Sequence, residues 1–145
     1  MNLRSEIRDR AFALTEAITT IPDLAGKKEH TGPPPTLPFY SLHLGAHRTE
    51  TTVTGEQRRV FSLFGQLYVA ATDPEAAARA LDELWAAMVD AVQGDPTLGG
   101  LVADIEEVSF DPEPEDQQEA DQEFFYGDLE FAVIADSDAD SVNTI

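Results

Sequence analysis

The sequence predicts an α+β domain of element order α-β-β-α-β-β, a mostly antiparallel four-stranded sheet with two helices packed on one face. Three observations lead there. Two segments place apolar residues at the spacing of a helix. Each is followed by a pair of runs that alternate apolar and polar residues, as strands do. The length of 145 residues, 42% of them hydrophobic, suits one domain with a modest core. The domain is expected over residues 1–135, with 136–145 an acidic disordered tail.

The first helix is predicted over Asn2 to Thr19, because Leu3, Ile7, Ala11, Leu14 and Ile18 share one stripe and Asn2 is a good N-cap. Phe12 falls about 180° from Leu3 on that wheel, so it is expected to point away from the core and to be available to a neighbouring subunit. Pro22 to Pro38, with Gly26, Gly32 and the run Pro33, Pro34 and Pro35, reads as a loop of about 17 residues. A connection that long is either mobile or used for contact.

Two strand-like runs follow, Leu37 to Ala46 and Arg58 to Ala70, joined by a Thr-rich turn around Gly55. In the first, Tyr40, Leu42, Leu44 and Ala46 alternate with Phe39, Ser41, His43 and Gly45 and form an apolar face. In the second, Phe61, Leu63, Leu67 and Val69 share one parity while Val60, Phe64, Tyr68 and Ala70 make the other greasy too, more than helices on one side can cover. Thr72 as N-cap, Pro74 in the first turn and Glu75 three residues after the cap open the second helix. Its stripe is Ala77, Ala80, Leu81, Leu84, Met88, Ala91 and Val92, with Trp85 at the edge, and Gly94, Asp95 and Pro96 stop it. After Gly99 and Gly100 two more strands are expected, about Leu101 to Phe110 and Glu123 to Ala135. The acidic stretch Asp111 to Gln122 between them reads as a solvated hairpin tip.

Charge is divided sharply along the chain. Up to Arg79 the Lys and Arg are matched by an equal number of Asp and Glu; from Ala80 onward there is no cation, so the net charge of −19 resides in the second part alone. Such a surface repels the phosphates of a duplex and gains nothing from counterion release. A halophilic host is one source of acidity, but halophilic acidity would be spread over the chain, and this clustering points to a task for one surface. Met1 to Phe12 carries no apolar signal region and no run reaches the ~18 residues of a membrane span, so the chain is expected to be soluble and unexported, without a membrane partner.

Chemistry is hard to assemble from these residues. The absence of Cys removes disulfides and thiol nucleophiles. His43 and His47 have an interval that would serve a metal on a helix, but four strand residues span roughly 13 Å. The acidic stretch lacks the spaced Asp and Gly pattern of a calcium loop. No phosphate-binding glycine loop follows a strand, and the many carboxylates have no apolar pocket residues around them to tune their pKa values. No enzyme activity, metal or cofactor is expected.

The order helix, hairpin, long helix, hairpin resembles the tail terminator (minor tail protein U-like) family of long-tailed phages and related viruses. The matching landmarks are Leu3-Arg4 opening the first helix, Leu37-Pro38-Phe39-Tyr40-Ser41-Leu42, the Asp73-Pro74-Glu75 start of a helix carrying Leu81, Trp85 and Met88, Leu98-Gly99-Gly100-Leu101-Val102, the acidic tip, and Asp128-Leu129-Glu130-Phe131-Ala132-Val133. They cover about residues 2 to 135. The longer Pro-rich loop and the far greater acidity depart from the family pattern.

The resemblance implies a virion structural protein made in the host cytoplasm. It would close with copies of itself into a ring, a hexamer in that family, at the head-proximal end of the tail tube. There it would touch the tail tube protein and the head connector while genomic DNA passes without specific binding. For the ring interface the sequence offers Phe12, Arg48, Arg58, Arg59, Phe64 and Tyr68; for the lumen it offers Asp111, Glu113, Glu115, Asp116, Glu119, Asp121 and Glu123. The alternatives are a stopper or connector elsewhere in the neck, and an acidic decoy that mimics DNA and occupies a nucleic-acid-binding protein.

Overall fold

The computed structural model describes residues 2–113, 117–119 and 122–136. Its elements are helix α1 (Leu3–Glu16), strands β1 (Ala25–Lys28), β2 (Phe39–Thr51) and β3 (Gln57–Val69), helix α2 (Pro74–Gln93), and strands β4 (Asp104–Pro112), β5 (Gln117–Glu119) and β6 (Gln122–Asp136). Four strands run antiparallel in the order β2-β3-β6-β4, and β1 adds to β2 in parallel at one edge. The short β5 pairs only with the beginning of β6.

The α+β class and the two helices stand as the sequence predicts. The four-stranded antiparallel sheet does not: it is a mixed sheet of five strands, and β1 and β5 interrupt the expected element order. The segment Pro22 to Pro38, expected as a loop, contains β1. Its sequence Ala-Gly-Lys-Lys has no strand-forming residue to announce it. Gly26 makes the pairing possible, since a Cβ there would run into the Tyr40 ring of β2.

Both helices lie on one face of the sheet. Leu3, Ile7 and Ala11 of α1 and Ala77, Leu81, Leu84, Met88 and Val92 of α2 join one core with Leu42, Leu63, Leu67, Leu129, Phe131 and Val133. Full burial of each large apolar side chain contributes roughly 1.5–3 kcal/mol. Asn2 caps α1 by accepting from Ser5 N at 3.1 Å, as expected. On α2 the cap is Asp73 instead of Thr72, its carboxylate accepting from Ala76 N at 2.8 Å. Either residue type can cap, and Pro74 at the first helical position favours the residue immediately before it.

Phe12 also departs from expectation. It is 8% exposed and packs on Tyr40 with ring centroids 5.8 Å apart. The buried residues Leu3, Ile7, Ala11 and Thr15 step by four, which turns the stripe about 40° at each step toward Phe12. The strand that the sequence hides covers the remainder: Lys28 Nζ lies 5.7 Å over the Phe12 ring and pairs with Asp9 at 2.9 Å.

A bulge at Gly45 and Ala46 breaks the β2–β3 register between Leu44 and His47. Arg4 of α1 fills the break by donating to the carbonyls of Gly45 at 2.7 Å and Leu44 at 3.2 Å. The extra residue reverses the side-chain alternation. His43 therefore stacks on Phe64, on the side away from the helices, while His47 packs on Phe61 of the core side. The two histidines point to opposite faces.

Candidate functional site

The face of the sheet turned away from the helices is built in rows that the strand register dictates. Phe39, Tyr68 and Tyr126 are successive cross-strand partners across β2, β3 and β6. One row along come Ser41, Gln66, Asp128 and, on β4, Asp111. The next row holds His43, Phe64, Glu130 and Ser109. Aromatic residues thus gather at one end and carboxylates on the β6–β4 side.

At the aromatic end Phe39, Tyr68 and Phe124 form a second buried cluster, separate from the core under the helices. Tyr68 sits 5.9 Å from Phe39, 5.4 Å from Phe124 and 6.3 Å from Tyr126, and its hydroxyl donates to Gln66 Oε1 at 3.1 Å. The segment leaving β1 folds over this end: His30 meets the Phe39 ring edge-on at 5.0 Å, and its backbone N–H donates to Ser41 Oγ at 3.3 Å. The Pro-rich stretch is thereby one wall of an open cavity of about 570 Å³, whose floor includes His43, Gln66, Tyr68, Tyr126 and Asp128.

The electrostatics of the floor are one-sided. Glu29, Asp128, His30 and His43 line the cavity, and among the described residues neither a Lys nor an Arg does. Loss of hydration, and next the charge of Asp111 directly across the β4–β6 ladder, push the Asp128 carboxyl up, with His43 opposing. Tyr126 is raised first by lost hydration, then by Glu113, Asp128 and Asp111. Glu29 is already engaged, since its Oε1 accepts from Arg8 Nη1 at 3.0 Å and from Leu44 N at 3.2 Å. Among the described residues no group of three or more His, Asp or Glu is placed to hold a metal ion, and no helix is long and apolar enough to cross a membrane.

The structure separates the residues that the sequence proposes for an interface. Phe64 is half-buried on this face beside His43, and Tyr68 lies there too but is 9% exposed, enclosed within its own subunit. Phe12 belongs to the opposite, covered face. Arg48 is exposed on β2, opposite Val60 of β3, and pairs with Glu50 of its own strand at 2.9 Å. Arg58, half-buried, stands in register between Glu50 and Asp136, and Arg59 between Thr49 and Ala135.

Of the acidic set, Asp111 and Glu123 are exposed on strands, and Glu113 is half-buried with its N–H on the Tyr126 carbonyl at 2.8 Å. Glu119 lies in β5 by its backbone; Glu115, Asp116, Asp121 and the tail from residue 137 lie outside the described residues. The expected solvated tip is in part strand, because β4 runs to Pro112 and β6 begins at Gln122.

Sequence reasoning missed Asp128, Tyr126, Gln66 and Glu29 as a group. It gives this strand as about Glu123 to Ala135, where Phe125, Leu129, Phe131 and Val133 join the core and the opposite parity, Phe124, Tyr126 and Asp128, lines the cavity. The expectation that no carboxylate has apolar pocket neighbours is corrected by Asp128.

A scan against protein-family models and a search of curated proteins both return no match.

Proposed function

We propose that this chain is a tail terminator, a virion structural subunit that closes into a ring, six-membered in the family it resembles, at the head-proximal end of a tail tube. There it stops polymerisation and joins the tail to the head connector. One observation carries the reading: among the described residues no helix covers the second sheet face, which presents Phe64 and His43 at its centre and carboxylates toward β4. The end of the β2–β3 hairpin carries Arg48 and Arg58 on the same sheet, away from β4. Arginines on β2 and β3 and an acidic strand edge on β4, at two sides of one subunit, suit a head-to-tail contact, which generates a ring when the rotation closes.

Assembly has to overcome the charge of −19 on every copy. Two like charges ~7 Å apart in water repel by about 0.6 kcal/mol before screening, and a ring multiplies such pairs. An interface of ~800 Å² per partner outweighs that where apolar area is buried around Phe64. Each exposed arginine pair adds under about 1 kcal/mol. The carboxylates of the β4–β6 tip, facing the lumen, would keep a passing genome from adhering.

Native mass measurement and negative-stain imaging across a salt series test the proposal. Rings with a central hole, more abundant as salt rises, are expected. A monomer at every salt and protein concentration, or a ring that salt dissociates, removes the reading.

One observation favours the decoy as a second reading. Asp104, Glu106 and Asp111 on β4, and Asp128 and Glu130 on β6, hold carboxylates at the fixed spacing of a ladder instead of in a loop. Competition of this chain with duplex DNA for a basic DNA-binding protein would separate the two readings.

A further inference from the structure

The cavity on the second sheet face has a composition that neither ring closure nor packing explains. Its aromatic row, Tyr68 and Tyr126, lies directly beside its polar row, Gln66 and Asp128, on the same two strands. Adjacent strands are about 4.8 Å apart and alternate residues about 7 Å, so a planar group resting on a tyrosine of one row brings its edge to the acceptors of the next. Asp128 has no ion-pair partner among the described residues, and Gln66 Oε1 keeps a second lone pair after accepting the hydrogen bond of the Tyr68 hydroxyl.

Ligand classes can be weighed against this geometry. An anion meets Asp128 with Asp111 behind it. A purely apolar group covers the rings but strands the carboxylate away from water. A lysine ammonium satisfies the charge as a point but cannot lie flat and present a fork at the same time. A guanidinium does both.

We infer that this cavity receives the guanidinium of an arginine side chain from a partner polypeptide, its plane on the half-exposed Tyr126 ring and its N–H groups donating to the Asp128 carboxylate and the Gln66 carbonyl oxygen. Charge complementarity selects the source. Among the described residues the lining holds no Lys or Arg, and a second copy carries the same net charge of −19, with Arg48 paired to Glu50 and Arg58 placed between Glu50 and Asp136. The partner is therefore a different, basic chain. This inference stands apart from ring formation, since it concerns a cavity formed within one subunit.

The test is a titration of the full chain with the blocked tripeptides Gly-Arg-Gly, Gly-Lys-Gly and Gly-Gln-Gly, followed by amide chemical shifts. The arginine peptide is expected to move the signals of Gln66, Tyr68, Tyr126 and Asp128, and to bind at least about tenfold more tightly than the other two. Asp128→Asn is expected to weaken it about tenfold or more, Tyr126→Ala comparably, and Tyr126→Phe little. Asp82→Asn, on the exposed side of α2, is the charge control and leaves binding unchanged. Equal binding of the lysine or glutamine peptide, no shift at these residues, or undiminished affinity in Asp128→Asn with a native spectrum overturns the inference.

Discussion

On β3, Phe61, Leu63 and Leu67 turn under the helices and are fully buried, while their immediate neighbours Ser62, Phe64 and Gln66 turn the other way and remain half-exposed. One strand thus serves two surfaces of different chemistry. On the covered face the residues facing α1 and α2 are nearly all apolar, and shape alone decides the fit. On the open face aromatic rings, carboxylates, a glutamine and a histidine stand in rows, so what this face can bind is selective in a way that a core is not. The difference teaches where to look for function: on the parity of each strand that folding does not consume.

The contrast predicts a steep difference in stability cost. Phe131→Ala empties a fully buried position on β6, beside Leu63 of β3 in the core under the helices, and is expected to destabilise by about 3–5 kcal/mol in urea unfolding. Phe64→Ala, on the same sheet but half-exposed, should cost about 1 kcal/mol or less in the isolated subunit and act instead on assembly. Equal costs for the two would mean that the open face is part of the folding core and would erase the distinction between the faces.

The edge where the two faces meet is the next place to press. Gly26→Ala drives a Cβ into the Tyr40 ring, and either β1 leaves the edge or Tyr40 shifts against Phe12. A loss of about 1–3 kcal/mol is expected, together with faster amide exchange at Glu29, whose N–H donates to Leu42 O at 2.9 Å. Unchanged exchange there would show that β1 is not pinned by this contact. The two ion pairs that tie this segment to α1, Arg8–Glu29 and Lys28–Asp9, are partly exposed and compensate for little of the loss.

Much of this arrangement is legible in the amino-acid sequence and part of it is not, for physical reasons. Helix α2 is unambiguous because Leu81, Leu84, Met88 and Val92 repeat at helical spacing between the Thr72-Asp73-Pro74 start and Gly94, although which of Thr72 and Asp73 caps it is not. The alternation in β2, β3 and β6 likewise marks the strands that feed the core. Strand β1 is invisible, since Ala-Gly-Lys-Lys forms an edge only because Tyr40 is there to receive Gly26. Phe12 is misjudged for a related reason: a wheel centred on Leu3 does not know that a strand will close over its far side. The cavity is hidden because its floor comes from three strands and one loop far apart in sequence, and only the register brings Asp128 beside Gln66 and Tyr126.

The covered face contains one polar atom that allows a finer test. The Tyr40 hydroxyl is buried and has no hydrogen-bond partner of good geometry among the described residues, although Thr15 is near enough to favour its ionised form slightly. Burial, the larger influence, pushes the phenol up, with Glu16 adding to it. Removing a buried, unsatisfied hydroxyl gives up little, so Tyr40→Phe is expected to change stability by less than about 1 kcal/mol, toward greater stability. A loss of 2 kcal/mol or more, on the order of a strong buried bond, would show that the Tyr40 and Thr15 hydroxyls do pair.

The smallest effect belongs to the open face and carries a sign. Asp111 and Asp128 stand directly opposite each other on β4 and β6, an arrangement of like charges that weakens a sheet. Asp128→Asn removes the repulsion and should stabilise the subunit by a few tenths of a kcal/mol at neutral pH. The folded Asp128 carboxyl binds its proton more tightly than the unfolded one, because lost hydration and Asp111 raise it. As pH falls through that raised value the native protein takes up the proton first and recovers what the charge had cost, so the advantage of the asparagine variant should fade in acid. Thermal unfolding of both proteins across a pH series checks this. An advantage that grew toward acid would mean that Asp128 is held in its charged form by a cation, and the one-sided electrostatics of the open face would have to be redrawn.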